Sequence, residues 1–121
     1  MPALNFKKRF APAVGSFRKR QTIRAERKDG RNPRPGDTLY LFTGQRTKSC
    51  QRLGAAICKS VEEIVIWPNS KRDIIVIAGK LLNNKEKEKL AVDDGFHDFP
   101  EFMDFFRKEH DLPLSGLLIK W

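Results

Sequence analysis

Alternating hydrophobic and polar positions give the clearest structural signal in this chain, at residues 37–43 (DTLYLFT). Side chains two residues apart lie on the same face of a strand, so Leu39 and Leu41 share one face while Tyr40 and Phe42 share the other. Both faces therefore carry bulky apolar groups. The pattern predicts a strand that is buried on both sides.

Five other segments are rich in residues that favour strands, and Gly, Pro and charged residues separate them. We expect these strands at residues 4–10, 21–25, 53–67, 73–82 and 115–121. Glu62 and Glu63 indicate a bulge or break in the longest segment, and Gly79 indicates a bend in the next. A loop is expected at residues 26–36 (ERKDGRNPRPG), and a hairpin-like connection at residues 44–52 (GQRTKSCQR).

Two helical segments precede the last predicted strand, and the first of them covers residues 85–92. Asn83 or Asn84 is its expected N-cap, because an asparagine side chain can accept a hydrogen bond from the first turn. Its end is expected near Gly95, since glycine readily adopts the left-handed conformation that follows many helices.

The second helical segment has stronger sequence signals. Asp98 is the expected N-cap, and Glu101 follows three residues later, as in a capping box. The apolar side chains that follow are spaced as on one face of a helix: Phe99, Phe102, Met103 and Phe106. This stripe predicts a helix face packed against the strands rather than a cofactor site.

The order of these elements predicts an α+β, mainly β fold in a single domain over residues 1–121. A last strand that follows two helices must pair with earlier strands. A small closed or nearly closed β-barrel, with the two helices inserted before the C-terminal strand, meets this requirement because closure leaves no exposed strand edge.

Charge is distributed unevenly between the two halves of the chain. Residues 1–60 hold 15 Lys and Arg against 3 Asp and Glu, whereas residues 61–121 hold 9 against 12. The basic half, with a net charge of +12, favours a polyanionic partner, either nucleic acid or an anionic membrane surface. A protein that is basic only for solubility is the alternative, although solubility does not require segregated charge.

No apolar stretch approaches the length of a transmembrane helix, and residues 1–10 lack the apolar region of a signal peptide. We therefore expect a cytoplasmic protein that does not associate with a membrane. Cys50 and Cys58 match no zinc pattern, and on one strand they would lie too far apart for a disulfide. They are expected to be free thiols in a reducing compartment, and no metal or cofactor is predicted.

Four regions spread over nearly the whole chain resemble, in order, the motifs of the ASCH domain family. Residues 15–24 (GSFRKRQTIR) resemble its Gly-x-Lys-x-x-Thr-Ile-Arg signature, which enters a strand. Residues 35–37 (PGD) resemble the entry to its barrel. Residues 91–96 (AVDDGF) and 100–105 (PEFMDF) resemble its helical region with an acidic-Gly-Phe motif, and residues 116–121 (GLLIKW) resemble its closing strand.

The resemblance implies a PUA-like barrel with a cleft beside the strand that contains the Thr-Ile-Arg motif. ASCH proteins are RNA-binding or RNA-related, some small members are amidohydrolases that deacylate acetylated cytidine, and ribonuclease activity has been described for others. In the amidohydrolases a Lys, a Thr and an acidic residue carry the chemistry, and the matching positions here are Lys19, Thr22 and Asp94. This chain departs from the pattern in three ways: its acid is Asp rather than Glu, its Gly-to-Lys spacing is longer, and Gln21 occupies a position where small residues are usual.

The strand over residues 21–25 places Thr22 and Arg24 on one face, where a hydroxyl and a planar bidentate donor suit a phosphate or a base edge. Neighbouring basic residues add charge for phosphates, and Tyr40, Phe42 or Trp67 is a candidate for stacking on an unpaired base. The predicted nucleic-acid-binding residues are Arg18, Lys19, Arg20, Thr22, Arg24, Arg27, Lys28, Arg31, Arg34 and Tyr40.

The predicted function is nucleic-acid binding, with RNA as the expected partner. The alternative is an ASCH-type hydrolase in which Lys19, its pKa lowered by basic neighbours, activates Thr22 while Asp94 acts as a general acid–base. A purely structural interpretation is that Arg24 pairs with Asp93 or Asp94 and that Thr22 only packs. His97 and His110 are isolated in the sequence and are assigned no role, and an adaptor for an acidic protein is a third alternative.

Overall fold

The computed structural model of the protein describes residues 3–121, which form eight strands, three α-helices and one short 3-10 turn. The strands are β1 (Ala3–Phe6), β2 (Gln21–Ala25), β3 (Thr38–Thr43), β4 (Gln51–Ile57), β5 (Ser60–Trp67), β6 (Ile74–Ile77), β7 (Lys80–Leu81) and β8 (Leu114–Lys120). The α-helices are α1 (Ala11–Gly15), α2 (Asn84–Asp93) and α3 (Phe99–Glu109), and the 3-10 turn (Lys8–Phe10) leads into α1. The α+β, mainly β class and the two helices ahead of the last strand are confirmed.

The strands form two sheets. In the three-stranded sheet the order is β1-β3-β4, with β1 parallel to β3, and in the five-stranded sheet the order is β2-β8-β5-β6-β7, with all pairs antiparallel. The last strand pairs with earlier strands on both sides, as expected. Over residues 3–121 no ladder joins the two sheets, so the pairings do not close into a barrel.

The long apolar segment at residues 53–67 contains two strands, and the break lies at Cys58 and Lys59 rather than at Glu62 and Glu63. The Cys58 N–H donates at 2.8 Å to the carbonyl of the residue before β3, whereas the Lys59 N–H donates at 2.8 Å to the last residue of β8. The chain therefore passes from one sheet to the other between adjacent residues. Glu62 and Glu63 remain within β5, fully paired with β8.

The predicted strands at residues 4–10 and 73–82 are also shorter than expected. The first ends at Phe6, because the chain then enters the 3-10 turn and α1. The second is a hairpin of β6 and β7, and the expected bend is its two-residue turn, in which Ala78 and Gly79 both have positive φ. Positive φ at both turn residues suits a tight hairpin because its twist matches that of the strands.

The hydrophobic core contains side chains from both sheets and from α2 and α3. Leu39 and Leu41 of β3 are fully buried, whereas Tyr40 and Phe42 are half-buried, so the predicted alternation is present but the strand is fully buried on one side only and not on both as expected. Phe102 and Phe106 are the largest side chains that α3 buries, as its stripe predicted.

Side chains cap both long helices at their first turns. Asn83 accepts a hydrogen bond from the Glu86 N–H at 2.8 Å, and the Glu86 carboxylate accepts from the Asn83 N–H, which completes a capping box. Asp98 accepts from the Glu101 N–H at 2.9 Å. The Glu101 carboxylate accepts from Arg9 at 2.7 Å instead of returning to the cap, so the predicted capping box of α3 is only half formed.

Candidate functional site

A cavity of about 260 Å³ lies between β1 and β2, the edge strands at which the two sheets meet, and the loop after α2 and the end of α3 close it. We call it the central cavity. Its polar lining residues are Asn5, Lys7, Lys19, Thr22, Arg24, Asp94, Glu109 and His110. Its aromatic lining residues are Phe6, Phe10, Phe96, Phe105 and Phe106. The three positions that match the ASCH amidohydrolases thus line one cavity together with Arg24.

The strand β2 carries Thr22 and Arg24 to this cavity because it packs very closely against β8. A Cβ atom at Gly116 of β8 would lie 2.5 Å from the Arg24 carbonyl oxygen, so only glycine fits there without movement of the backbone. Thr22 and Arg24 lie on one side of the strand, as its two-residue repeat predicts, and Arg24 Nε donates to Thr22 Oγ1 at 3.2 Å.

Lys19 and Asp94 form a buried ion pair at the inner end of the cavity. Each side chain is about 3–5% exposed, and Lys19 Nζ donates to Asp94 Oδ1 at 3.0 Å and to the Asp94 carbonyl oxygen at 2.5 Å. The ammonium lies 5.0 Å from the ring centroid of Phe10. Two of its three N–H groups are thus used, and no described residue accepts from the third.

Burial is the main influence on the protonation of this pair. Burial lowers the pKa of Lys19 and raises the pKa of Asp94, so in both residues it favours the neutral form. The mutual attraction of the two charges opposes both shifts. The positive charge of Arg24 makes a smaller contribution that lowers the pKa of Lys19. The lowering expected from basic neighbours is therefore due mainly to desolvation, because a buried ammonium loses its hydration.

The turn after α2 holds Asp94 in place. Asp94 is the C-cap of α2, where a carboxylate opposes the helix dipole, and Lys19 offsets this by binding both its carboxylate and its carbonyl. Gly95 follows with φ +96°, and a Cβ atom there would meet the Lys19 and Phe10 side chains at 3.1 and 3.2 Å. Gln21 Nε2 also donates to Asp94 Oδ1, at 3.4 Å.

Arg24 is held by neutral partners rather than by an acid. Its Nη2 donates to the Asn5 carbonyl oxygen at 2.6 Å, and its guanidinium lies 5.0 Å from the ring centroid of Phe6. Among the described residues no carboxylate lies within ion-pair distance of it, since Asp94 pairs with Lys19 and Asp93 with Lys89. The structural alternative in which Arg24 ties β2 to an aspartate of α2 is therefore not observed.

A cluster of phenylalanine rings forms the apolar wall. Phe96 is its centre, with ring centroids 5.4 Å from Phe10 and 5.2 Å from Phe105, and the Arg9 guanidinium lies 5.1 Å from its centroid. These contacts span three chain segments, so the wall is rigid and held from several directions.

His110 also lines the central cavity, although its isolation in the sequence gave it no role. Its ring stacks on Phe106 at 5.4 Å with an interplanar angle of 19°. Burial lowers the pKa of His110, and the charge of Arg24 lowers it further. The only sequence signal for this placement is the spacing from Phe106, because residues four apart share a helix face.

The remaining predicted nucleic-acid-binding residues lie outside the central cavity. Arg18 and Arg20 line a surface depression at the start of β2, and Arg27 lines a second cavity beyond its end. Tyr40 lies on β3 with the Arg52 guanidinium 5.2 Å from its ring centroid. Exposed positions in the loop over residues 26–36 are occupied by Lys28, Arg31 and Arg34.

Comparisons of this chain with protein-family models, with curated proteins and with solved structures each gave no match. Within residues 3–121 no helix combines the length and the apolar character needed to cross a membrane. No cluster of three or more His, Cys, Asp or Glu side chains in that part of the chain is suited to hold a metal ion. Cys50 is exposed, Cys58 is buried, and both are free thiols.

Proposed function

We propose that this protein binds nucleic acid, with RNA as its partner, and that the central cavity receives one unpaired base. The observation that carries the proposal is that one cavity is lined by five phenylalanine rings and by Arg24, which has no ion-pair partner among the described residues, whereas Lys7 and Lys19 pair there with Glu109 and Asp94. Cationic groups bind phosphates, and aromatic side chains stack on the unpaired bases through which proteins recognise single-stranded RNA. On this proposal the chain is an ASCH protein, and its two sheets form a PUA-like pseudobarrel around the cavity.

The size of the cavity favours a single base or nucleoside. Its volume of about 260 Å³ lies just below the range of about 300–1,000 Å³ for small-molecule pockets. The rest of a strand would therefore lie outside, where Arg18, Arg20 and Arg27 are exposed around β2. Three phosphate contacts to a single strand give a slope of log affinity against log salt of about −2.

Binding of labelled single-stranded RNA, hairpin RNA and duplex DNA at two salt concentrations tests the proposal. The informative variant is Arg24→Gln, and Arg72→Gln is the matched control because Arg72 is exposed and lies in the acidic half of the chain. We expect single-stranded RNA to bind most tightly. Arg24→Gln should weaken the binding of single-stranded RNA by roughly tenfold or more, since a hydrogen bond to a charged group contributes about 1.5–3 kcal/mol.

Two results would contradict this function. Absence of salt-sensitive binding to any of the three nucleic acids would overturn it altogether. An equal loss in Arg24→Gln and Arg72→Gln would show that binding depends on total charge and not on the central cavity.

A second candidate function is hydrolysis of an acylated nucleoside. The observation that favours it is that Lys19, Thr22 and Asp94 line the same cavity. In this scheme the Thr22 hydroxyl attacks the acyl carbonyl while neutral Lys19 accepts its proton, and Lys19 then gives that proton to the nucleoside nitrogen as the C–N bond breaks and the amine leaves. Water then hydrolyses the acyl ester on Thr22 and releases the acid. The lowered pKa of Lys19 supports this scheme, because a lysine must be neutral to act as a base.

Chromatography of N4-acetylcytidine after incubation with the protein tests this second function, and the same mixtures can be examined for RNA cleavage. Thr22→Val removes the hydroxyl and keeps the side-chain shape, while Thr38→Val makes the same change on β3, away from the cavity. If the protein is this hydrolase, Thr22→Val loses turnover and Thr38→Val retains it. Turnover that persists in Thr22→Val would exclude Thr22 as the nucleophile.

A further inference from the structure

A second cavity, of about 220 Å³, lies on the other side of Arg24 from the central cavity. We call it the loop cavity, because the loop over residues 26–36 forms one wall through Arg27, Asn32 and Pro33. The other walls are apolar side chains of β1 and β8, namely Leu4, Leu117 and Ile119. Arg24 lines both cavities, so a ligand in one lies next to the other.

The loop cavity has a positively charged lining. It is lined by Arg24 and Arg27, and no described Asp or Glu is among its lining residues. Neither arginine forms an ion pair with a described carboxylate, whereas Arg9 and Arg107 do. Burial is the main influence that lowers the pKa of Arg24, the charge of Asp94 opposes it, and the charge of Arg27 lowers the pKa further, so the two arginines repel each other. An anion between them would relieve this repulsion.

Residues that line the loop cavity retain hydrogen-bond donors. Arg24 uses Nε and one N–H of Nη2 on Thr22 and Asn5, which leaves three guanidinium N–H groups for a ligand. Asn32 Oδ1 accepts from the Arg27 N–H at 2.8 Å, so the Asn32 amide nitrogen remains a donor. A planar guanidinium that is fixed in this way suits the bidentate binding of a phosphate.

We propose that the loop cavity is a phosphate subsite, so that the ligand of this protein is a nucleotide rather than a free nucleoside. The base or nucleoside occupies the central cavity, Arg24 lies between the two cavities, and the adjoining phosphate group binds Arg24, Arg27 and Asn32. This inference rests on the proposed function and names the substrate class for both the binding protein and the hydrolase. The phosphate is either the terminal group of a mononucleotide or a phosphodiester of a strand.

Titration of the ¹⁵N-labelled protein with inorganic phosphate tests the subsite without any nucleoside. The Nε–Hε signals of Arg24 and Arg27 should shift together and saturate. Arg27→Gln should weaken this binding by roughly tenfold, because one of two charged partners is lost. Arg72→Gln removes the same charge far along the chain and should leave the affinity unchanged.

Cytidine, cytidine 5′-monophosphate and a dinucleotide without terminal phosphates then identify the source of the phosphate. The subsite predicts that one of the two phosphorylated ligands binds roughly tenfold more tightly than cytidine, and that Arg27→Gln removes the difference. Tighter binding of the mononucleotide indicates a terminal phosphate, and tighter binding of the dinucleotide indicates a strand.

The two proposals fail in different ways. If RNA binds through Arg24 but phosphate shifts all exposed arginines without saturation, the subsite is wrong and the proposed function stands. Equal affinities for cytidine and both phosphorylated ligands would also overturn the subsite. If phosphate saturates Arg24 and Arg27 but no nucleic acid, nucleotide or nucleoside binds, the loop cavity is an anion site, and both its assignment to a nucleotide and the proposed function are wrong.

Discussion

Replacement of the buried pair of Lys19 and Asp94 tests whether these charges serve the site or the stability of the fold. Lys19→Met and Asp94→Asn each remove one charge, and Lys19→Met/Asp94→Leu replaces both by apolar side chains. Each side chain is about 3–5% exposed, so the partner left behind in a single variant has almost no access to water. We therefore expect each single variant to be strongly destabilised and the double variant to keep a stability close to that of the parent.

The expected magnitudes follow from this burial. Removal of one partner from a buried pair costs about 3–5 kcal/mol of unfolding free energy, because it leaves an uncompensated charge. That loss is a large part of the total stability of about 5–15 kcal/mol that is typical of a domain. Replacement of both charges by apolar groups is often neutral or stabilising, so we expect the double variant to lie within about 2 kcal/mol of the parent.

Urea unfolding followed by circular dichroism measures these differences. With a slope of about 1.5 kcal/mol per molar urea, each single variant should unfold at a midpoint about 2–3 M lower. The loss of unfolding free energy in the two single variants should depend on pH in opposite directions. In Asp94→Asn, burial holds the pKa of Lys19 below 10.5, so the deficit shrinks as pH rises towards 10.5. In Lys19→Met, burial holds the pKa of Asp94 above 3.8, so the deficit shrinks as pH falls towards 3.8.

One result would refute this reasoning. If the double variant is as unstable as the worse single variant at every pH, the pair is required for folding, and its burial gives no reason to assign it to the site. If the double variant is stable but has lost nucleotide binding or turnover, the two charges are retained for function at no benefit to stability.

Three further predictions concern the surroundings of the central cavity and the core behind it. Gly95→Ala should lower the free energy of unfolding by about 1–3 kcal/mol in urea, because φ is +96° there, and an unchanged midpoint would contradict this. Phe102→Ala should lower it by about 3–5 kcal/mol, since Phe102 is fully buried, whereas Phe17→Ala, with a 43% exposed side chain, should change it far less. A proton NMR titration should give His110 a pKa below 6.5, mainly because of burial, which the charge of Glu109 opposes and the charge of Arg24 reinforces. The pKa should rise in Arg24→Leu, and an unchanged value would show that the two groups do not interact.

Several elements of the fold followed from local sequence. The strand β3 was predicted from the alternation of Leu39 and Leu41, and α3 from its apolar stripe and the cap at Asp98. The joint placement of Thr22 and Arg24 followed from the two-residue repeat of a strand. These features depend on neighbours within a few residues, so a sequence pattern is sufficient to predict them.

Features that depend on distant segments were predicted less well. The division of residues 53–67 depends on which backbone groups accept hydrogen bonds from Cys58 and Lys59, and these acceptors lie just before β3 in one sheet and at the end of β8 in the other. Glu62 and Glu63 look like a break in the sequence but remain paired with β8. The choice between one strand and two is therefore made by tertiary pairing and not by local polarity.

The central cavity likewise combines features that the sequence predicted with features that only the fold determines. The resemblance to the ASCH family grouped Lys19, Thr22 and Asp94, but the pairing of Lys19 with Asp94 spans 75 positions along the chain. The lowered pKa of Lys19 was expected from basic neighbours, whereas burial is its main cause in the folded chain. His110 had no sequence partner, and the fold places it in the same cavity.

The sequence by itself determined the class of the fold, the two helices ahead of the last strand and the concentration of positive charge in the first half, because composition and short-range periodicity carry that information. Only the tertiary structure decided that Lys19 loses its water and pairs with Asp94, that Arg24 forms no ion pair with a carboxylate within residues 3–121, and that both cavities are lined by Arg24. Burial and the absence of a counter-charge are properties of the space between distant segments. No pattern along one strand or helix can specify that space.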